Sequence, residues 1–147
     1  MMMPAEPSSS APEGGDGENA LLPRRRDGAP LKCLVVEDEG LIALDLAARL
    51  DEWGADSEIA PTITTALRML REMRPDVVLL DVGLPDGNGL ELAAKMRVSS
   101  DAPIIFVTGN MDSETLQRIR FLGDFAVVPK PVDFRQLRHT IQDVLAR

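Results

Sequence analysis

Asp81 ends the apolar run Val77–Leu80, and other chemically active groups are placed in the same way. Glu37-Asp38-Glu39 follows the apolar run at 34–36. Thr108-Gly109 follows the run at 103–107, and Pro129-Lys130-Pro131 follows the run at 125–128. For any one of them the bland account suffices, because polar residues must follow a strand as the chain reaches water. The set asks for more. Carboxylates brought together repel unless a cation offsets them. A hard divalent ion such as Mg²⁺ takes carboxylate and carbonyl oxygens plus water. A lysine beside them adds positive potential suited to a transferred phosphoryl group.

Such convergence needs elements that bring four strand ends to one edge. The pattern predicts a strand over 32–37 and a helix over 41–53, with Ile42, Leu46, Leu50 and Trp53 at helical spacing and Gly54 after them. A weaker strand over 55–59 and a helix over 62–73 follow, the latter stopped by Pro75. The strand at 76–80 is continuously apolar, as expected when both faces are covered. A Gly/Pro loop spans 83–89 and a helix 90–97. A strand at 103–107, a helix at 113–122, a strand at 125–128 and an amphipathic helix at 134–145 complete the chain. Five βα repeats predict an α/β, flavodoxin-like doubly wound five-stranded parallel sheet, (βα)5. In such folds the working site lies outside the carboxyl ends of the strands.

Composition excludes several classes. The formal net charge is −8 and the only basic run is Arg24-Arg25-Arg26, which argues against a nucleic-acid binder. Cys33 and His139 are single, so no disulfide forms within the chain, and a Cys/His metal site or Ser/His/Asp triad is disfavoured. Cys33 reads as a buried strand residue and His139 as a surface helix residue. No apolar run reaches the roughly 20 residues needed to span a membrane. No signal-peptide segment opens the chain, so the reading is cytoplasmic. Residues 1–30 are Pro/Ser/Gly/Glu-rich and read as a disordered tail, with a short recognition peptide around 21–26 as the alternative. Residues 31–147 form the domain.

Val35-Val36-Glu37-Asp38-Glu39, Leu79-Leu80-Asp81-Val82-Gly83-Leu84-Pro85-Asp86-Gly87-Asn88-Gly89, Val107-Thr108-Gly109 and Pro129-Lys130-Pro131 together resemble the receiver domain of two-component response regulators, the CheY-like family. The resemblance covers roughly 31–147. It implies that Asp81 is the phosphoacceptor, taking a phosphoryl group from a phosphohistidine on a sensor histidine kinase or phosphotransfer protein. It implies that Asp38 binds Mg²⁺ directly, with Asp81, with Glu37 through water and with the backbone carbonyl of Gly83. Lys130 would pair with phosphoryl oxygens, or with Asp81 at rest, and Thr108 would swing toward the phosphoryl group. It also implies a cis Lys130–Pro131 bond, and a partner surface on the fourth helix, fifth strand and fifth helix. Leu116, Ile119 and Phe121 fit that fourth helix, with core packing the default for each.

The chain departs from the family pattern in two places. Val127 stands where many receivers carry a Tyr or Phe, with Phe125 two residues back on the same strand face. Phe106-Val107-Thr108-Gly109 partly resembles an alphaproteobacterial subgroup with a Phe-Ala-Thr-Gly motif, which would make 110–122 mobile without metal or phosphate. Gly83 replaces a larger residue, which would admit water to the acyl phosphate. No output domain follows Arg147, so the expectation is a free-standing receiver, switching a partner or relaying phosphate, or a fragment of a larger regulator or hybrid kinase. A pseudo-receiver that only binds proteins is opposed by the intact Asp38, Asp81, Thr108 and Lys130. An aspartate-nucleophile phosphatase would need a second Asp at position 83. A flavodoxin would need a hydroxyl-rich phosphate loop where Glu37-Asp38-Glu39 stands.

Overall fold

The computed structural model describes residues 20–147 apart from 124. Strands β1 (Lys32–Val36), β2 (Asp56–Ala60), β3 (Val77–Leu80), β4 (Ile104–Thr108) and β5 (Ala126–Pro129) alternate with helices α1 (Gly40–Glu52), α2 (Ile63–Met73), α3 (Gly89–Ser99), α4 (Ser113–Leu122) and α5 (Phe134–Ala146). The five strands form one parallel sheet in the order β2-β1-β3-β4-β5. This is the doubly wound α/β fold of the five βα repeats.

Side chains alternate across the sheet and build two cores. Cys33, Val35, Leu79, Ile105, Val107 and Val128 face α1 and α5, together with Leu46, Leu50, Leu137 and Ile141. Leu34, Val36, Val78, Leu80, Ile104 and Phe106 face α2, α3 and α4, together with Ala66, Leu92, Met96 and Ile119. Each leucine so buried stabilises the fold by about 1.5–3 kcal/mol. The outer strand β2 exposes Asp56 and Glu58, charges that discourage edge pairing. Burial pushes the Cys33 thiol up to about 12, with Asp76 and Asp56 adding to the effect, so it is a packing residue.

The structure departs from the sequence expectations in four places. The tail expected to run through residue 30 does not do so. Leu22 is buried in the α1–α5 core and its N–H donates to the Trp53 carbonyl at 2.9 Å. The end of α1 offers that carbonyl beside the apolar cluster of Leu50 and Trp53. Residues 1–19 lie outside the described residues. The loop after Asp81 contains a tight hairpin, Gly83–Leu84 against Gly87–Asn88. Ile119 packs in the core as expected, but Phe121 is 92% exposed. It lines a groove of about 580 Å³ between α3 and α4, on the side away from β5. His139 is half-buried rather than on the surface.

The hairpin also carries a bond that no local pattern announces. Asp86 accepts from the N–H groups of Ile63 and Thr64, at 2.8 and 3.1 Å, and from the Thr64 hydroxyl at 3.0 Å. It thereby joins Thr62 in capping α2. The bond from the Ile63 N–H, the largest cause, and those from Thr64 hold its carboxyl below the ordinary 3.8. A carboxyl lowered by folding adds stability above its unfolded value and loses it as pH falls through the lower folded one. Asp86→Asn is therefore expected to lower the melting temperature by a few degrees near neutral pH. It should also flatten the acid limb when melts are repeated at falling pH.

Candidate functional site

Because all five strands are parallel, their carboxyl ends share one edge of the sheet. Asp81 emerges directly from β3 and stays 92% buried, since only 8% of it is exposed. Its Oδ1 accepts from the Val82 N–H at 2.7 Å, and its Oδ2 accepts from Lys130 Nζ at 2.9 Å. Glu37, at the end of β1, is buried too. Its Oε1 lies 2.8 Å from Lys130 Nζ, and its Oε2 accepts from the Glu39 N–H at 3.2 Å. Glu39, exposed at the rim, adds a third carboxylate to the same ammonium at 3.3 Å.

Two features place Lys130. It follows β5, where its N–H donates to the Thr108 carbonyl at 3.0 Å, and its bond to Pro131 is cis. Burial alone would lower the Lys130 pKa, but Glu37 and Asp81 outweigh that and hold it above the usual lysine value. The ammonium therefore stays charged at neutral pH. Burial pushes the Glu37 carboxyl up, and Lys130 and the Glu39 N–H only partly oppose this. Three carboxylates share this one ammonium, so the cluster is short of positive charge.

Oxygens of Glu37, Asp38 and Asp81 all lie within 4.8 Å of one another, with Asp38 on the open side. Oxygen ligands on one Mg²⁺ at about 2.1 Å lie up to about 4.2 Å apart, so this donor set fits a hard cation with little movement. Gly83 sits two residues beyond Asp81 on the exposed rim, and no heavy atom lies within 4 Å of where a Cβ would stand. The buried Thr108 hydroxyl accepts from the Asn110 N–H at 3.1 Å. The structure therefore brings Glu37, Asp38, Asp81 and Lys130 together directly. Thr108 stands on the adjoining strand and Gly83 on the rim.

Sequence reasoning missed two residues of this site. Glu39 appeared only as part of an acidic run, and its reach to Lys130 spans 91 positions. Gly89 opens α3 with its N–H on the Val82 carbonyl at 2.7 Å. A Cβ there would overlap the Asp81 carbonyl oxygen. A glycine closing a Gly/Pro loop was the only signal.

Phe125 does share a core with Val127, as strand alternation requires. Its ring packs edge-on against Phe106, 5.6 Å between centroids, with the Arg97 guanidinium 5.2 Å from its centre. Thr108 pairs with Pro129, four residues further along, which is about 13 Å at strand rise.

Residues 33–142 match the family model described as the response regulator receiver domain. The transcriptional regulatory protein KdpE of Staphylococcus aureus is 34% identical over 113 residues, covering 76% of this chain and 48% of that protein. The uncharacterized transcriptional regulatory protein YvcP of Bacillus subtilis is 33% identical over 117 residues, covering 79% of this chain and 49% of that protein. The chain thus spans about half the length of these curated relatives. Among solved structures, a CheY-like receiver domain protein from Methanospirillum hungatei aligns with a TM-score of 0.74 at 30% identity, covering 80% of this chain and 95% of that one. The chemotaxis protein CheY4 of Vibrio cholerae aligns at 0.74 and 28% identity, covering 79% and 99%.

Proposed function

The chain belongs to the response regulator receiver domain family, and from that premise we propose that Asp81 accepts a phosphoryl group from a phosphohistidine of a sensor histidine kinase or phosphotransfer protein. The observation that carries this reading is the Lys130 ammonium bonded to both Asp81 and Glu37 beside the acidic cluster. A carboxylate oxygen of Asp81 attacks phosphorus and forms the P–O bond. The P–N bond breaks, and its electron pair stays on the imidazole. Asp38, Asp81 and the Gly83 carbonyl, with Glu37 through water, would hold Mg²⁺, which would neutralise charge on the phosphoryl oxygens. Lys130 moves its ammonium from the Asp81 carboxylate to the new phosphoryl oxygens. Thr108 turns its hydroxyl from the Asn110 N–H to donate to one of them.

Exposed Leu41 and Leu44, just past Glu39 on α1, offer an apolar surface for the donor. The exposed Phe121 on α4 offers one for a downstream partner. The output is switched partner binding or onward phosphotransfer, by this chain alone or as the receiver part of a larger regulator. Among the described residues no helix is long and apolar enough to cross a membrane.

Incubation with Mg²⁺ and acetyl phosphate, followed by intact-mass measurement, tests the reading. A gain of one phosphoryl group per chain is expected. No gain would overturn it in favour of a module that binds proteins without phosphorylation.

The open rim at Gly83 makes a separate prediction. Its backbone φ is not in the left-handed region and a side chain has room. Gly83→Met is expected to shield the acyl phosphate and slow its hydrolysis several-fold, read as loss of the phosphorylated mass over time. An unchanged rate would show that water does not enter over residue 83.

A further inference from the structure

The groove between α3 and α4 is open and partly apolar. Leu90 and Ala94 of α3 line one side, and Glu114, Arg118 and Phe121 of α4 line the other. Phe121, at the carboxyl end of α4, is 92% exposed. Met111, just ahead of the N-cap Asp112, is exposed at the amino end. A lone exposed apolar residue needs no explanation, but one at each end of a helix with a groove beside it marks a docking surface. Glu114, Arg118 and Phe121 recur at spacings of four and three, so they share one face of α4. Arg118 Nη2 donates to Glu114 Oε2 at 3.2 Å, with both side chains more than half exposed. Such a pair contributes little by itself. It leaves donors on the guanidinium and lone pairs on the carboxylate for a second partner.

The order of these groups is symmetric in a way that one chain cannot use alone. Glu114 and Arg118 stand two positions either side of Leu116, and Met111 and Phe121 stand five positions either side. Turned end for end and centred on Leu116, a second α4 sets Arg118 against Glu114 twice and Phe121 against Met111 twice. A two-fold interface requires that self-complementarity. Laid in the same direction, two such helices would oppose like charges, which suppresses that arrangement. We propose that the α3–α4 face is a two-fold interface between two copies of this chain, built on antiparallel α4 helices. The Phe121 ring of each copy enters the groove of the other beside Leu90 and Met111, where a methionine sulfur at a ring edge is a favourable contact. The occupant of the Phe121 surface is then a second copy, which rests on the docking role given to Phe121 above but not on phosphoryl transfer at Asp81.

The test is sedimentation velocity of the full, unphosphorylated chain over rising concentration. The parent is expected to dimerise with a dissociation constant below about 1 mM. Glu114→Arg alone and Arg118→Glu alone each set like charges across the two-fold and should weaken dimerisation about tenfold or more. Mixing these two variants in equal amounts should restore it, because each then meets the opposite charge on the other. Within each chain the pair stays like-charged, so restoration reports only the contact between copies. Phe121→Asp should also dissociate the dimer and leave the melting temperature of dilute protein unchanged, since the residue is exposed. A parent that stays monomeric through about 1 mM overturns the proposal. So do dimers that survive these substitutions, and a mixture that fails to recover. Phosphoryl uptake by the three variants, read by intact mass, should match the parent's, so loss of the dimer leaves the reading of Asp81 intact.

Discussion

Asp81→Asn is expected to take up no phosphoryl group, a fall of at least about a thousandfold in the initial rate, because the amide oxygen is no nucleophile toward phosphorus. The fold should persist. Asn retains an oxygen to accept from the Val82 N–H, and Lys130 keeps Glu37 at 2.8 Å and Glu39 at 3.3 Å. The substitution also replaces one of the three carboxylates available to a cation with a neutral amide. A ligand that binds only the folded state raises the melting temperature by mass action. Mg²⁺ should therefore stabilise the parent and stabilise Asp81→Asn much less. Intact mass after acetyl phosphate, and melts with and without Mg²⁺, check the two halves separately. Phosphoryl uptake by Asp81→Asn would move the acceptor to another carboxylate of the cluster, Glu37 or Asp38.

Gly89→Ala should destabilise the fold by about 3 kcal/mol, at the upper end of the usual cost of overpacking. The added Cβ would meet the Asp81 carbonyl carbon at 3.0 Å and the Val82 Cα at 3.1 Å, besides the carbonyl oxygen itself. All three are backbone atoms and cannot swing aside. The Gly89 N–H bond to Val82 holds the first turn of α3 against them. Relief requires moving either α3 or Asp81, so phosphoryl uptake should fall along with stability. Gly40→Ala is the matched control. It also opens a helix, but nothing lies within 4 Å of the new Cβ, and its melting temperature should hold or rise. Urea unfolding of both variants decides the matter. Equal stabilities would show that α3 can shift freely from Asp81.

Much of the fold was legible because its signals are local. Continuous apolar runs such as Val77–Leu80 mark strands covered on both faces, and helical spacing in α1 and α5 marks the layers that cover them. Once the strands are parallel, the residues after them must share an edge. The order of Glu37, Asp38, Asp81, Thr108 and Lys130 along the chain was therefore enough to place them at that edge. The cis Lys130–Pro131 bond came with the family resemblance.

What stayed hidden depends on which faces meet after folding. Nothing near Leu22 reveals the Trp53 carbonyl that holds it, and nothing near Asp86 reveals the start of α2 that it caps. Arg138 and Phe121 both stand on helices whose spacing suggests the opposite of what is found, with the arginine buried and the phenylalanine exposed. Periodicity states that a helix has an apolar stripe, but the angle and depth of packing decide which residues at its margins are covered. By itself, the sequence determined that a lysine and a set of acids would converge beyond β3. Only the tertiary structure decided that one ammonium would be shared by Asp81, Glu37 and Glu39, because those contacts join strand ends 49 and 91 positions apart.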